Sequence, residues 1–323
     1  VELDLPEPGS HDLRVRVEAV SVNPVDTKVR APKAQVESTP RVLGYDAAGV
    51  VDAVGDAVTD FTVGDAVYYA GDITRSGSNA QFQLVDARIV ARKPASLDFP
   101  GAAALPLTVL TAWELLFERM PYSIDGGGAG KTLLVIGGAG GVGSIAIQLA
   151  RLAGFTVIAT ASRDETAAWC RTLGADHVID HRQALAPQLQ ALGLDAVDAA
   201  LNLADTDRYW DILGELLAPQ GHVGLIVEPA GALKIGDPYK AKCIGIHWEF
   251  MFARARFRTA DMIEQHRILA RTASLVDAGE LRTTAILDHL NEALGPHIFP
   301  DKGDGSDPRE CPLCHQGQLS LKT

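Results

Sequence analysis

Along residues 13–20 apolar and charged side chains alternate, with Leu13, Val15, Val17 and Ala19 on one side and Arg14, Arg16 and Glu18 on the other. A period of two predicts a strand with one face buried and one in water. Residues 47–54, 65–69 and 81–85 read as further strands, parted by Gly55-Asp56, Gly64-Asp65 and Gly71-Asp72 turns. The N-terminal third therefore predicts a small antiparallel barrel or sandwich with little helix. After Pro94 the period lengthens, and residues 98–112 and 112–118 read as helix. From Thr132 apolar runs alternate with helical stripes at the spacing of strand–helix–strand units. Strands are predicted at 133–136, 156–162, 177–180, 197–203, 222–227 and 243–247, with helices at 165–173 and 207–218 and a long helix at 261–279. The expected fold class is α/β, a doubly wound parallel sheet beside a mostly antiparallel β-barrel domain, with ligand at the carboxyl edge of the parallel sheet.

The most informative stretch joins the first parallel strand to its helix. The apolar run at 133–136 leads into Gly138, Gly140 and Gly143 at GxGxxG spacing, and then into a stripe of Val142, Ile145, Ala146, Leu149 and Leu152. In that context one glycine permits a tight turn, one lets the backbone approach a pyrophosphate, and one lets helix pack on strand. The helix N-terminus supplies free N–H groups to the phosphates. Gly138, Gly140, Gly141, Val142 and Gly143 are the expected cofactor-binding backbone, the alternative being a glycine turn without a ligand. A second strand ending in Asp or Glu would accept from the ribose 2′-OH of NAD. Here it ends at Ser162-Arg163, a hydroxyl and a guanidinium suited to a 2′-phosphate, which predicts NADPH. Asp164 follows directly and complicates that reading if it turns inward. Gly130-Lys131-Thr132 looks like the end of a P-loop, but Asp125 stands where its first Gly is needed and the Lys precedes the strand, so phosphoryl transfer is rejected.

Composition narrows the field without redirecting it. The 323 residues suffice for two cored domains, and 47% hydrophobic with 22% charged residues is ordinary for a globular chain. A net charge of −12 speaks against a nucleic-acid or membrane-surface partner. Apolar stretches are expected to fall short of a membrane span, and four cysteines make no disulfide framework, so a cytoplasmic setting is the default.

Asn23-Pro-Val-Asp-Thr-Lys, Gly44-Tyr-Asp-Ala-Ala-Gly-Val-Val, Leu107-Thr-Val-Leu-Thr-Ala-Trp, the glycine turn and His247-Trp-Glu-Phe-Met-Phe together resemble the medium-chain dehydrogenase/reductase superfamily. The nearest likeness is its zinc-free quinone-oxidoreductase-like branch, often labelled zinc-type alcohol dehydrogenase-like, over residues 1 to about 285. The resemblance implies a GroES-like catalytic domain at 1–105, a Rossmann domain at 106–250, a helix returning toward the catalytic domain at 251–285, and an atypical tail at 286–323. It implies a homodimer, NADPH as cofactor, and a small carbonyl or quinone substrate, with no membrane and no nucleic acid.

A catalytic zinc needs three protein ligands, Cys, His and Cys in the zinc branch. Where the first two would stand this chain has Asn23 and Tyr45, and residues 65–93 hold no cysteine for a structural zinc. The resemblance therefore implies polarisation by hydrogen bonds, with Asn23, Asp26, Lys28 and Tyr45 as catalytic candidates and no metal. Asn23 and Tyr45 are read as donors to a carbonyl oxygen, Asp26 as a loop-orienting group, and Lys28 as a solvated charge; all four also fit plain turn and barrel roles. Thr108 and Thr111 share a helical face that touches the nicotinamide ribose in the family, or else bond their own backbone. His177 and His181 read as sheet-edge residues, and Phe250, Met251 and Phe252 as packing. An NADPH-binding sensor or scaffold with little turnover is the rival function.

The tail departs from the family. Family members begin a strand or two earlier and end in strands that close the barrel, so this chain reads as trimmed at the start and replaced at the end. Ile286, Leu287, Leu290, Ala293 and Leu294 predict one amphipathic helix, followed by a Gly- and Asp-rich linker. Cys311-Pro-Leu-Cys314-His315 is similar to the start of a C-terminal zinc ribbon of bacterial type I topoisomerases. With two cysteines and one histidine it is half a zinc site, and haem attachment at the same motif would require export.

Overall fold

The computed structural model describes residues 3–31 and 41–284. The expectations for 286–323, including the amphipathic helix, Cys311, Cys314 and His315, lie outside the described residues.

The antiparallel sheet has five strands: β1 (Asp12–Ser21), β2 (Asp46–Val54), β3 (Ala66–Tyr69), β4 (Phe82–Asp86) and β5 (Val90–Arg92), in the order β4-β1-β2-β3-β5. In β1, Leu13 and Val15 are buried as the alternation predicts. Ala19 does not share their face. Val17 opposes Gly49 while Ala19 opposes Ala48, so Glu18 is an extra residue in a bulge. A bulge resets the period of two, so Val20 instead joins Leu13, Val15 and Val17, while Ala19 packs into the other core. A helix that the pattern missed, α1 (Pro24–Arg30), follows β1. Its only apolar face is Val25 and Val29, half-buried one turn apart against the core, a pair too short to stand out as a stripe, and it starts on Pro24 because Pro suits the first helical position.

The predicted helix at 98–112 is two helices, α2 (Phe99–Ala103) and α3 (Pro106–Glu114). Pro106 cannot donate to the preceding turn, so the chain restarts there. Asp98 caps α2 by accepting from the Gly101 N–H at 2.8 Å. Beyond α3 the chain widens into a π-helical turn, Leu115–Arg119. The span Phe99–Arg119 is long and apolar enough to cross a membrane by composition, which corrects the expectation drawn from stretch length. It is 83% buried inside the protein, as a core segment is.

The second sheet is wholly parallel. Its strands are β6 (Thr132–Ile136), β7 (Thr156–Thr160), β8 (His177–Ile179), β9 (Val197–Asn202), β10 (Leu217–Leu225) and β11 (Gly245–Trp248), in the order β11-β10-β9-β6-β7-β8. The order turns back at β6, which makes the end of β6 the switch point where such sheets bind ligands. Helices α4 (Gly141–Leu152), α5 (Asp164–Thr172), α6 (Leu185–Ala191) and α7 (Thr206–Leu216) cover its faces. The alternation in β6 divides the core: Leu133 and Val135 join the cluster of Ile145 and Leu149 from α4, while Leu134 and Ile136 join Leu189, Trp210 and Leu213. After β11 come α8 (Ala253–Phe257) and α9 (Ile263–Asp277). The α9 helix packs on the antiparallel sheet: the Tyr68 hydroxyl donates to Leu269 O at 2.6 Å and Asp277 accepts from the Ser96 N–H at 2.8 Å.

Candidate functional site

The glycine turn shares its roles differently from the sequence reading. Gly137, outside the spaced trio, takes the left-handed conformation with φ +83°. Its N–H donates to the Thr160 hydroxyl at 3.0 Å, and its carbonyl accepts from the Gly140 N–H at 3.0 Å. A Cβ on Gly143 would lie 2.2 Å from Gly137 O, and one on Gly138 2.8 Å from Ala159 Cβ. Those two glycines serve packing. Gly140 and Gly141 meet little beyond Gly137 O at 3.3 Å and Thr108 Cγ2 at 3.1 Å respectively. Gly140 is the N-cap of α4, so Gly141, Val142 and Gly143 form the first turn, whose N–H groups have no acceptor within the helix. Open space at the cap, free donors and the helix dipole fit the pyrophosphate of a dinucleotide. At the end of β7, Ser162 is half-buried, and Arg163 is exposed at the N-cap of α5.

Against this turn stands the start of α3. Thr108 and Thr111 are each 6% exposed, and both hydroxyls donate to backbone, Thr108 to Leu105 O at 3.0 Å and Thr111 to Leu107 O at 2.7 Å. Their donors are thus used locally, while each oxygen keeps lone pairs for a ligand donor.

The catalytic candidates gather at the corner between β1 and β2. Asn23 is extended (φ −120°, ψ 163°) at the N-cap of α1 and its N–H donates to Asp26 Oδ2 at 2.8 Å. Asp26 thus orients the corner; its Oδ1 is buried without a partner, and burial pushes its carboxyl above the usual range. The Tyr45 hydroxyl is also buried, with no partner in hydrogen-bond geometry among the described residues. Burial raises its pKa; Arg41 pulls it partly back from beyond good hydrogen-bond geometry, and the Asp26 charge raises it again. Lys28 is exposed on α1, apart from this corner in kind. Among the described residues neither Asp26 Oδ1 nor the Tyr45 hydroxyl has a hydrogen-bond partner, which leaves both available to a ligand.

Sequence reasoning missed Asp46, although it stands in the quoted Gly44-Tyr-Asp run as a carboxylate opening an apolar strand. It is fully buried and accepts from Asn23 Nδ2 at 2.7 Å and the Leu107 N–H at 2.8 Å. Burial pushes it up to about 8, against those two hydrogen bonds.

A buried ionic cluster was missed as well. Glu114 at the end of α3 and Glu249 just after β11 have fully buried side chains. Arg119 donates to Glu249 Oε2 at 2.8 Å and Glu114 Oε2 at 3.1 Å, and Arg254 lies 2.9 Å from Glu114 Oε1 and also pairs with Glu118. Burial, with the charge of Glu114 second, pushes Glu249 up to about 9. Gln265 ties Glu114 to the Met251 carbonyl. The cluster thereby fixes the loop 249–252 at the carboxyl end of β11. Met251 and Phe252 are buried, as expected of packing, and Phe252 meets the Tyr45 ring at 5.0 Å; Phe250 is 43% exposed.

Zinc does not fit what is here. Among the described residues no three His, Cys, Asp or Glu side chains stand together as a ligand set. At the positions in question lie an amide already donating to Asp46 and a buried phenol. The far histidine pair, His222 Nδ1 and His247 Nε2 at 2.9 Å, joins β10 to β11 and is not part of this corner.

Comparison with known proteins agrees with this architecture. Residues 9–97 match the family profile of the alcohol dehydrogenase GroES-like domain, and residues 141–243 that of the zinc-binding dehydrogenases. A zinc-type alcohol dehydrogenase-like protein of Staphylococcus epidermidis is 41% identical over 291 residues, spanning 89% of this chain and 86% of its own. A Rhizobium etli CFN 42 crystal structure named for the zinc-dependent alcohol dehydrogenases superposes with a TM-score of 0.82 at 49% identity, covering 91% of this chain and 88% of that one. Escherichia coli quinone oxidoreductase complexed with NADPH gives a TM-score of 0.73 at 25% identity, covering 87% and 84%.

Proposed function

Because the chain belongs to the medium-chain dehydrogenase/reductase superfamily, in its quinone-oxidoreductase-like branch, we propose that it uses NADPH to reduce a quinone or another α,β-unsaturated carbonyl without catalytic zinc. Oxidoreductase chemistry is common to the branch; the acceptor, the cofactor's phosphate and the absence of zinc are our reading. The observation that carries it is that Asn23, whose amide donates to Asp46, and Tyr45, whose buried hydroxyl has no partner among the described residues, stand where a zinc enzyme needs metal ligands.

The glycine turn and the first turn of α4 receive the pyrophosphate, and Arg163 with Ser162 receives the 2′-phosphate. When bound, the reduced nicotinamide supplies a hydride to an electron-poor carbon. The chain's own part is electrostatic. Tyr45 keeps its proton, since burial raises its pKa, and donates a hydrogen bond to the acceptor oxygen as negative charge grows there. The Asn23 N–H left over from Asp46 serves the same oxygen. Phe250 and Phe252 narrow the access of water, and solvent completes protonation. A quinone is itself an unsaturated diketone, so one donor arrangement suits both acceptor classes.

Stopped-flow absorbance of NADPH against quinone and enone panels, before and after chelator treatment, tests this reading. Oxidation at an unchanged rate after chelation is expected. NADPH that binds and stays reduced with every acceptor would point instead to a sensor or scaffold. The proposal includes a homodimer, favoured by the edge position of β11 and by exposed Trp248 and Phe257. Light scattering that gives a monomer mass would refute that part.

A further inference from the structure

Asp46 spends its two carboxyl oxygens on two different parts of the fold. Oδ2 accepts from the side chain of Asn23, on the corner after β1, and Oδ1 from the backbone of Leu107, in the first turn of α3. Leu107 is followed by Thr108, whose methyl group is the atom a Cβ on Gly141 would meet. One carboxyl therefore joins the acceptor-side amide to the helix that abuts the glycine turn. The amide of a free asparagine turns over readily, since its terminal torsion is broad and its two ends are of similar size. With Nδ2 committed to Asp46, Asn23 has one orientation.

We propose that Asp46 is a positioning residue for the reaction proposed above, holding the Asn23 amide in one orientation and at a fixed distance from the nicotinamide-side helix α3. The inference rests on that reading for its catalytic consequence and on geometry alone for the strut itself. The surroundings agree: Asp46 is fully buried, and the Ser78 hydroxyl donates to the Asp46 backbone carbonyl at 3.3 Å.

Asp46→Asn keeps the volume and can still accept from Leu107, but its new amide faces Nδ2 of Asn23 until that side chain turns over. The hydrogen bond that orients Asn23 is lost, so kcat/KM for the acceptor should fall about tenfold or more while the NADPH Kd stays within about twofold. Adding Asp46→Asn to Asn23→Ala should cost nothing further, because Asp46 acts through Asn23. Full additivity, or an unchanged kcat/KM in Asp46→Asn, overturns the proposal. The exchanged pair, Asn23→Asp with Asp46→Asn, restores the hydrogen bond between the two side chains with donor and acceptor reversed, and keeps the one donated by the Leu107 N–H. It should recover the melting temperature and not kcat/KM; recovery of both would mean a scaffold role only.

The strut is also read without any cofactor. In protein with asparagine side chains labelled with 15N, the Asn23 amide is identified by its loss in Asn23→Ala. Its protons should exchange slowly in the unmodified protein and fast in Asp46→Asn. Equal exchange would overturn the inference whatever the acceptor is. A protein that never oxidises NADPH, yet shows the protected amide, would instead count against the reductase reading alone.

Discussion

The glycine turn and the Asn23 corner do comparable jobs by opposite means. The turn is built from backbone: residues 137–143 fold on themselves, and their chemistry consists of N–H groups and a helix dipole. The corner is built from side chains gathered across the fold, with Asp46 bonded to partners 23 and 61 residues away. A site made of local backbone tolerates surface drift but no added atom. A site made of distant side chains tolerates some change of volume, but depends on every hydrogen bond in the chain of contacts.

The sharpest way to break that contrast is to add atoms to the turn. Gly143→Ala places a methyl 2.2 Å from Gly137 O, a backbone atom that cannot step aside, so overpacking should cost about 3 kcal/mol and NADPH binding should be lost. Gly140→Ala meets Gly137 O only at 3.3 Å, so stability should hold while the NADPH Kd rises. Melting curves and cofactor titrations on the two variants separate packing from approach; equal loss of stability in both would refute the division of roles.

A side-chain contribution at the rim of the turn should be smaller. Exposed Arg163→Ala should lower NADPH preference over NADH about tenfold, roughly 1.4 kcal/mol, without changing the melting temperature. Equal affinity for the two cofactors in the unmodified protein would contradict the assignment of Ser162 and Arg163.

The difference between the regions explains what the sequence made legible. The turn and the parallel strands were readable because strand, glycines and helical stripe are contiguous, although the turning glycine is Gly137 and not one of the spaced trio. The α1 helix was not, since its half-buried Val25 and Val29 are too short a stripe to stand out. The face of Ala19 was misread because a bulge leaves no mark in the apolar pattern. Asn23 and Tyr45 could be named only through family likeness, and Asp46, Glu114 and Glu249 escaped because a carboxylate inside an apolar run looks like an exposed residue until its partners are known. Thr108 and Thr111 sit one helical turn apart as read, and of the two roles the sequence left open the coordinates show the backbone one, with both hydroxyls donating to main-chain carbonyls.

The smallest expected effect concerns pH. Glu249 holds its proton up to about 9 when folded and releases it near the ordinary carboxyl value when unfolded. A raised folded pKa contributes stability that is complete at low pH and lost as pH rises through the folded value. Asp46, pushed up to about 8, acts with the same sign. Glu249→Gln cannot titrate, so the melting temperature should fall less steeply between about pH 6 and pH 9 in that variant. An unchanged slope would mean that Glu249 is already ionised at neutral pH.

The central claim is that hydrogen bonds from the chain, headed by Tyr45, polarise the acceptor. Its most direct test is the single-turnover oxidation of bound NADPH by an enone in chelator-treated protein, comparing the unmodified chain with Tyr45→Phe. Removing one buried hydroxyl that has no partner among the described residues should leave the melting temperature unchanged or slightly higher, and should slow the chemical step about a hundredfold. Equal rates in the two proteins, or a rate abolished by the chelator and restored by zinc, would contradict the account.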